Sequence, residues 1–212
     1  GMTGRLLVRD ALKTWAPGDF YAAHDPISAH DHVLIQMEQA AIVFNDVRRF
    51  GSLHLIAPGE EGNHFLLNAL GPEPLGPNFD GGRLWMALKD RKTPIKAALL
   101  DQSCVAGLGN IYVCEALHRA GISPRRKAET LGPKRADRLA GEIKDVLSEA
   151  IRYGGSTLRD FAHADGQAGE FQERFAVYGR EGAPCQTPDC GGTVSRIVQS
   201  GRSTFLCTAC QR

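Results

Sequence analysis

Four cysteines near one end of the chain do most to limit its fold. They fall in two pairs, Cys185-x4-Cys190 and Cys207-x2-Cys210, with sixteen residues between the pairs. "TVSRIVQ" and "STFLC", between the pairs, alternate apolar and polar residues as the two strands of a hairpin do. Two cysteine knuckles joined by a hairpin can set four thiolates tetrahedrally around one Zn²⁺. No position is left for water, so such an ion is structural. It stands in for the hydrophobic core that so short a segment cannot build. Disulfides and unrelated thiols are the alternatives, and the paired spacing is what speaks for zinc. Cys104 and Cys114 lie apart in helical sequence and read as small buried apolar residues.

Upstream of the cysteines the hydrophobic period changes once. Residues 3–57 read as β: "RLLV", "HVLIQM", "AAIVFND" and "GSLHLIA" are short apolar or alternating runs between polar loops. Residues 58–82 are rich in Gly, Pro and Asn and read as a linker. From there to about 160 the period is helical. "GRLWMALKD" is a short helix, and Pro94 suits the first turn of "PIKAALLD". Asn110 is placed to cap "IYVCEALHRA", which Gly121 closes. Pro133 starts a fourth helix with Leu139, Ile143, Val146, Leu147, Ala150 and Ile151 on one face, and Gly154-Gly155 ends it.

Charge is uneven along the chain. Its 25 Lys and Arg nearly balance its 24 Asp and Glu, for a net charge of +1. Residues 1–80 hold 5 basic and 10 acidic side chains, whereas residues 81–150 hold 13 and 8. An anionic partner feels that local basic stretch and not the total. No apolar run approaches the ~18 residues of a membrane span. "GMTGRLLVRD" lacks the apolar core of a secretory signal, so a cytoplasmic location is expected.

Four motifs in order point to one family. The tail "VYGREGAPC…C…GRSTFLCTACQR" is similar to the zinc-finger end of the bacterial formamidopyrimidine-DNA glycosylases. The middle, "KTPIKAALLDQSCVAGLGNIYVCEALHRAGISP", resembles their helix–two-turns–helix module. "FNDVRRFG" and "HDHV" resemble loops of their N-terminal β domain, and "GMTGRLLV" a segment about one third of the way into a full-length member. The resemblance covers essentially the whole chain. It implies an α+β fold with a partial N-terminal β-sandwich over 1–70. A helix–two-turns–helix domain with a lid loop over 71–174 and a zinc-finger hairpin over 175–212 would follow. It further implies removal of oxidised purines, 8-oxoguanine and formamidopyrimidines, from duplex DNA after the base is flipped out. In the family it resembles, an N-terminal proline amine is expected to attack the sugar C1′ and form a Schiff base, after which the strand is cut by β,δ-elimination.

Site residues follow from the same resemblance. Arg202 in "GRSTF" matches the finger arginine that contacts phosphates flanking the lesion and is implicated in the late elimination. A permanently charged, bidentate guanidinium suits a phosphate clamp. Arg48 and Phe50 in "RRFG", with Met2, match three residues that fill the gap left by the flipped base. There the arginine bonds the widowed cytosine and the phenyl wedges the stack. His30 and Arg91 match DNA-contacting positions. Lys96 and Asn110 match phosphate-binding ones, and Tyr112 an aromatic near them. Asn110 can be a helix cap as well, because a helix N-terminus presents amides to phosphate. "ADGQAGEFQ" (164–172) matches the loop that closes over the flipped base.

One departure from the pattern stands out. A full member begins with a proline followed by a glutamate and carries a catalytic lysine before the segment that "GMTGRLLV" matches. This sequence starts at that segment, and its first proline, Pro17, is an internal amide. A misplaced start codon, a cleaved fragment and a silent relative all fit the departure; the intact remaining motifs favour the first. The chain as given is therefore expected to bind duplex DNA carrying an oxidised purine or abasic site, without glycosylase or lyase activity of its own. Two classes stay open: a base-excision enzyme present as its C-terminal part, and a non-catalytic duplex- or damage-binding module. Strands lacking sheet partners are expected to expose apolar edges that pair with another copy.

Overall fold

The computed structural model describes residues 4–9, 14–15, 29–156 and 170–212. Strands β1 (Gly4–Arg9), β2 (Thr14–Trp15), β3 (Asp31–Gln36) and β4 (Ala41–Asp46) form one antiparallel sheet in the order β2-β1-β4-β3. This is a single layer of the partial sandwich expected. β1 pairs with β4 along its length, with Leu7 opposite Val43. Those two residues are buried together, so a slip of one residue would expose both. Polar ties cross the sheet: Arg9 Nη2 and Asn45 Nδ2 each donate to the Asp31 carboxylate at 2.7 Å. On β3, Leu34 and Ile35 are exposed. "GSLHLIA" is not a strand. The segment runs without a ladder, and its alternate apolar residues Leu53 and Leu55 are exposed, with no layer to pack on among the described residues.

The helical part begins with a single turn, α1 (Phe65–Asn68), and continues with α2 (Gly81–Leu88), α3 (Ile95–Leu100), α4 (Asn110–Arg119) and α5 (Pro133–Arg152). Asp80 caps α2, its Oδ1 accepting from the Arg83 amide at 2.7 Å. Gly81 is required there: a Cβ would lie 2.3 Å from the Cα of Asp137 on α5. The cap of α4 is Gly109 and not Asn110, which is the first helical residue and sends its side chain elsewhere. Gly121 ends α4 with φ +66°, as expected. On α5, Leu139, Ile143, Val146 and Ala150 form the buried stripe. Leu147 lies at its edge, and Ile151 is exposed because the stripe is narrower than the sequence suggested. Among the described residues, no helix is long and apolar enough to cross a membrane.

The tail is the expected hairpin, β5 (Val194–Gln199) and β6 (Arg202–Cys207). Ser200 and Gly201, at φ +49° and +71°, make the tight two-residue turn whose twist matches that of the strands. Val177, Val194 and Phe205 pack against Cys114 of α4 in one buried cluster, and the Tyr178 ring stacks edge-on against Phe205. The chain divides into two compact units, residues 1–56 with 150–174 and residues 57–149 with 175–212. The finger and the helix pair thus belong to one compact unit.

Candidate metal centre and nucleic-acid interface

Four sulfurs converge at the base of the finger. The Sγ atoms of Cys185, Cys190, Cys207 and Cys210 all lie within 4.8 Å of one another. Cys185 and Cys210 are 3.8 Å apart, Cys190 and Cys207 3.6 Å. A tetrahedral zinc with Zn–S bonds of ~2.3 Å needs sulfur–sulfur edges of about 3.8 Å, so the four thiols fit that ion. Gly192 permits the approach: a Cβ there would sit 2.7 Å from Cys207 Sγ. Burial works against ionisation of Cys185, yet hydrogen bonds from Thr187 and His118 bring its pKa down to about 5. Burial and the neighbouring thiols push Cys210 up to about 12. Burial raises the pKa of Cys104 and Cys114, in keeping with inert packing roles.

Around the hairpin, α3 and α4 present polar groups to the backbone of β6. Lys96 on α3 is only 1% exposed. Its Nζ donates to Thr204 Oγ1 at 2.7 Å and to the Ser203 carbonyl at 3.2 Å. Asn110 Nδ2, on the first turn of α4, donates to the same Ser203 carbonyl at 3.0 Å and lies 3.3 Å from the Tyr178 hydroxyl. Arg202 precedes Ser203 and is exposed at the hairpin tip. Burial, and then the Arg202 guanidinium, lower the pKa of Lys96. Glu115 is fully buried one turn along α4. Its carboxylate accepts the amides of Ala176, Val177 and Tyr178 at 2.8–3.0 Å. Lys96 is thus turned inward to the hairpin, where the sequence pointed to a phosphate contact. Tyr112 is half-buried on α4.

The two turns between α3 and α4 are braced by side chains. Asp101 accepts from the Ser103 amide and hydroxyl and from Arg91 Nη1 at 2.5–2.9 Å. Gln102 Oε1 accepts from the Gly107 amide at 2.8 Å. The Arg91 hydrogen bond, aided by Ser103, holds the Asp101 carboxyl down at about 2.

In the sheet unit, the residues after β4 form a tight turn around the buried Asp46. Its Oδ1 accepts the Arg48 amide at 3.2 Å and its Oδ2 the Gly51 amide at 2.7 Å. Arg49 sits at φ +57° to close the turn. A side chain at Gly51 would collide with Phe44, its Cβ 2.5 Å from the ring. Held this way, Phe50 is 79% exposed, with the Arg48 guanidinium 5.6 Å from its ring centroid. His30 is exposed nearby, its carbonyl accepting the Asp46 amide at 2.9 Å. Met2 and most of the 164–172 loop lie outside the described residues.

Sequence reasoning missed Glu115, Tyr178, Asp46 and His118. Asp46 carried a usable signal, an acidic residue followed five positions on by glycine, as compact turns require. Glu115 carried none, because its partners lie some sixty residues away.

Residues 70–162 match the family model "Formamidopyrimidine-DNA glycosylase H2TH domain", and residues 182–212 match "Zinc finger found in FPG and IleRS". Across its whole length the chain is 57% identical to the formamidopyrimidine-DNA glycosylase of Cereibacter sphaeroides, covering 74% of that protein. It is 52% identical to the enzyme of that name from Caulobacter vibrioides, again over 74%. Among solved structures, the MutM (Fpg) protein of Thermus thermophilus superposes with a TM-score of 0.78 at 42% identity, over 99% of this chain and 76% of that one. The Lactococcus lactis Fpg, in complex with DNA containing an abasic site, superposes at 0.80 with 32% identity, over 100% and 72%.

Proposed function

The chain belongs to the formamidopyrimidine-DNA glycosylase family, and from that premise we propose that each of its two units contacts damaged duplex DNA during base-excision repair of oxidised purines. The observation that carries this reading is Phe50. An exposed phenyl on a turn fixed by a buried carboxylate has no use in the fold itself, and it suits a wedge driven between base steps. Arg48, beside that ring, is suited to bond the base left without a partner. His30, exposed on the same unit, adds a polar contact.

On the other unit, Arg202 is proposed to clamp phosphate from the hairpin tip. The two cations Lys96 and Arg202 lie within Coulombic reach of each other, which favours an anionic partner. Asn110 at the start of α4 adds an amide beside helix N–H groups. Lys96 is proposed to act by holding β6 in place, while Arg91, Tyr112 and the described end of the 164–172 loop complete the phosphate and lesion contacts. The family chemistry, base removal and strand cleavage, is proposed for the protein to which this sequence belongs, and its setting is the bacterial cytoplasm. Four thiolates hold one structural zinc, and the ion supplies rigidity to the finger and no step of the reaction.

Binding to duplexes with and without a tetrahydrofuran abasic analogue tests the proposal. Wild type is expected to prefer the abasic duplex. Phe50→Ala and Arg48→Ala are expected to erase that preference with modest loss on intact duplex. Arg202→Ala is expected to weaken both and to lower the salt slope by about one counterion. Equal losses on every duplex from all three variants would refute the division of roles.

A further inference from the structure

The side chain of His118 has no place in DNA contact or in the zinc ligand set, yet it is buried against that set. It lies on the last turn of α4 and is 6% exposed. Its Nε2 is 3.4 Å from Cys185 Sγ and 3.3 Å from Thr187 Oγ1. The Thr187 hydroxyl in turn lies 3.7 Å from Cys210 Sγ. Its other ring nitrogen, Nδ1, is buried with no hydrogen-bond partner among the described residues.

These contacts select one tautomer. A neutral imidazole carries a single proton. Placed on Nδ1, that proton would be buried without an acceptor, and the Nε2 lone pair would face a thiolate. Placed on Nε2, it points at the sulfur of Cys185 and the oxygen of Thr187. The Thr187 hydroxyl is then free to donate its own proton to Cys210. We infer that His118 is the outer-shell donor of the finger: its Nε2–H bonds Cys185 Sγ directly and orients Thr187 toward Cys210, so that two of the four sulfurs are held by one side chain of α4.

Four thiolates around one Zn²⁺ carry a surplus of two negative charges, and N–H or O–H donors spread that charge. A donor fixed on a helix holds the sulfurs in place before the metal arrives. It also gives α4 two grips on the finger, Asn110 at its first residue and His118 near its last, about 12 Å apart along the axis. Zinc loading and the position of α4 therefore become linked through a residue that is neither a ligand nor a DNA contact.

The inference rests on the four cysteines binding zinc. The full chain is loaded with zinc and titrated with a chromogenic chelator, in parallel with His118→Phe and His118→Gln. Phenylalanine keeps the ring volume without the donor, and glutamine returns an N–H near the position of Nε2. His118→Phe is expected to give up zinc about 10- to 100-fold more readily. His118→Gln is expected to restore retention. Thr187→Val, which leaves α4 untouched, is expected to weaken retention in the same direction and keeps the test open if His118→Phe folds poorly. The cobalt-loaded forms of wild type and His118→Phe are expected to share one four-thiolate absorption spectrum. Equal zinc retention in His118→Phe and wild type would overturn the inference. So would a glutamine variant as weak as phenylalanine, which would assign the effect to packing. A changed cobalt spectrum would overturn it too, by making His118 a ligand. Failure of the wild-type chain to take up zinc at all would instead refute the metal reading on which the inference stands.

Discussion

The sheet unit and the helix-and-finger unit are held together by different means. In the sheet, the buried pair Leu7 and Val43 is small and β3 leaves Leu34 and Ile35 in solvent. Order comes from the ladder and from polar ties across it, the buried Asn45 among them. The other unit has a deep apolar core and then seals its finger with two buried polar groups, the Lys96 ammonium and the Glu115 carboxylate, and with the half-buried sulfur cluster. The difference follows from what each must hold. Phe50 needs only a local turn, which Asp46 supplies from a few residues away. Arg202 has to be held against helices roughly a hundred residues earlier in the chain, and there hydrogen-bonded buried charge joins the apolar contact of Val194 and Phe205 with Cys114.

Removing zinc should break this contrast most. Structural zinc contributes on the order of 10 kcal/mol of binding free energy to a finger. Chelation is expected to abolish duplex binding, unfold the hairpin and speed amide exchange in α4, while most helix signal remains and β1 and β4 exchange as before. Hydrogen exchange read by mass spectrometry checks it. Unchanged α4 exchange alongside a lost hairpin would show that finger and helices are independent after all.

Glu115→Ala tests the same seal without touching the metal. Three buried amides would lose their acceptor, and a loss of about 3 kcal/mol in urea unfolding is expected. A cost below ~1 kcal/mol would mean that water replaces the carboxylate.

In the sheet unit, Asp46→Ala frees the Arg48 and Gly51 amides and is expected to cost about 2 kcal/mol. Preference for an abasic duplex should fall with it, although neither DNA-facing side chain has changed. Full preference retained by this variant would show that the turn holds Phe50 by other means.

The smallest effect belongs to Asp101. Its folded pKa, about 2, is below the ordinary 3.8, so the stabilisation is present above about pH 4 and is lost as pH falls toward 2. The pair with Arg91 is largely in solvent, and the effect on melting should be slight. A carboxyl titration by NMR gives the midpoint directly; an ordinary value would remove Arg91 from the brace of the two turns.

Much of this was legible in the sequence. The cysteine spacing, the hairpin, the Pro133 start and the Gly121 stop are local signals, and local physics decided them. Asn110 was legible as important but not as what it is: the cap fell to Gly109, because Asn110 bonds a strand 93 residues away. "GSLHLIA" has the period of a strand, but a period forms a strand only where its apolar face finds a layer to pack on, and Leu53 and Leu55 are exposed. Lys96 looks like any surface cation until Thr204 is beside it. Polar residues whose partners are distant in sequence carry no local mark of burial.

That last pairing has a consequence in time. Lys96 and Thr204 are separated by 108 residues, and closing so long a loop costs about 4 kcal/mol in chain entropy. Until β6 arrives, the ammonium has to stay hydrated, and α3 cannot bury the face that carries it. Contacts so far apart in sequence slow folding. The helix pair and the finger therefore mature on one clock, set by the return of a distant strand. Burst-phase hydrogen exchange of α3 would read it, with protection in α3 and β6 rising together. A nascent chain that has not yet made Ser203 and Thr204 holds every residue of the helix–two-turns–helix module, yet leaves its buried cation without a home.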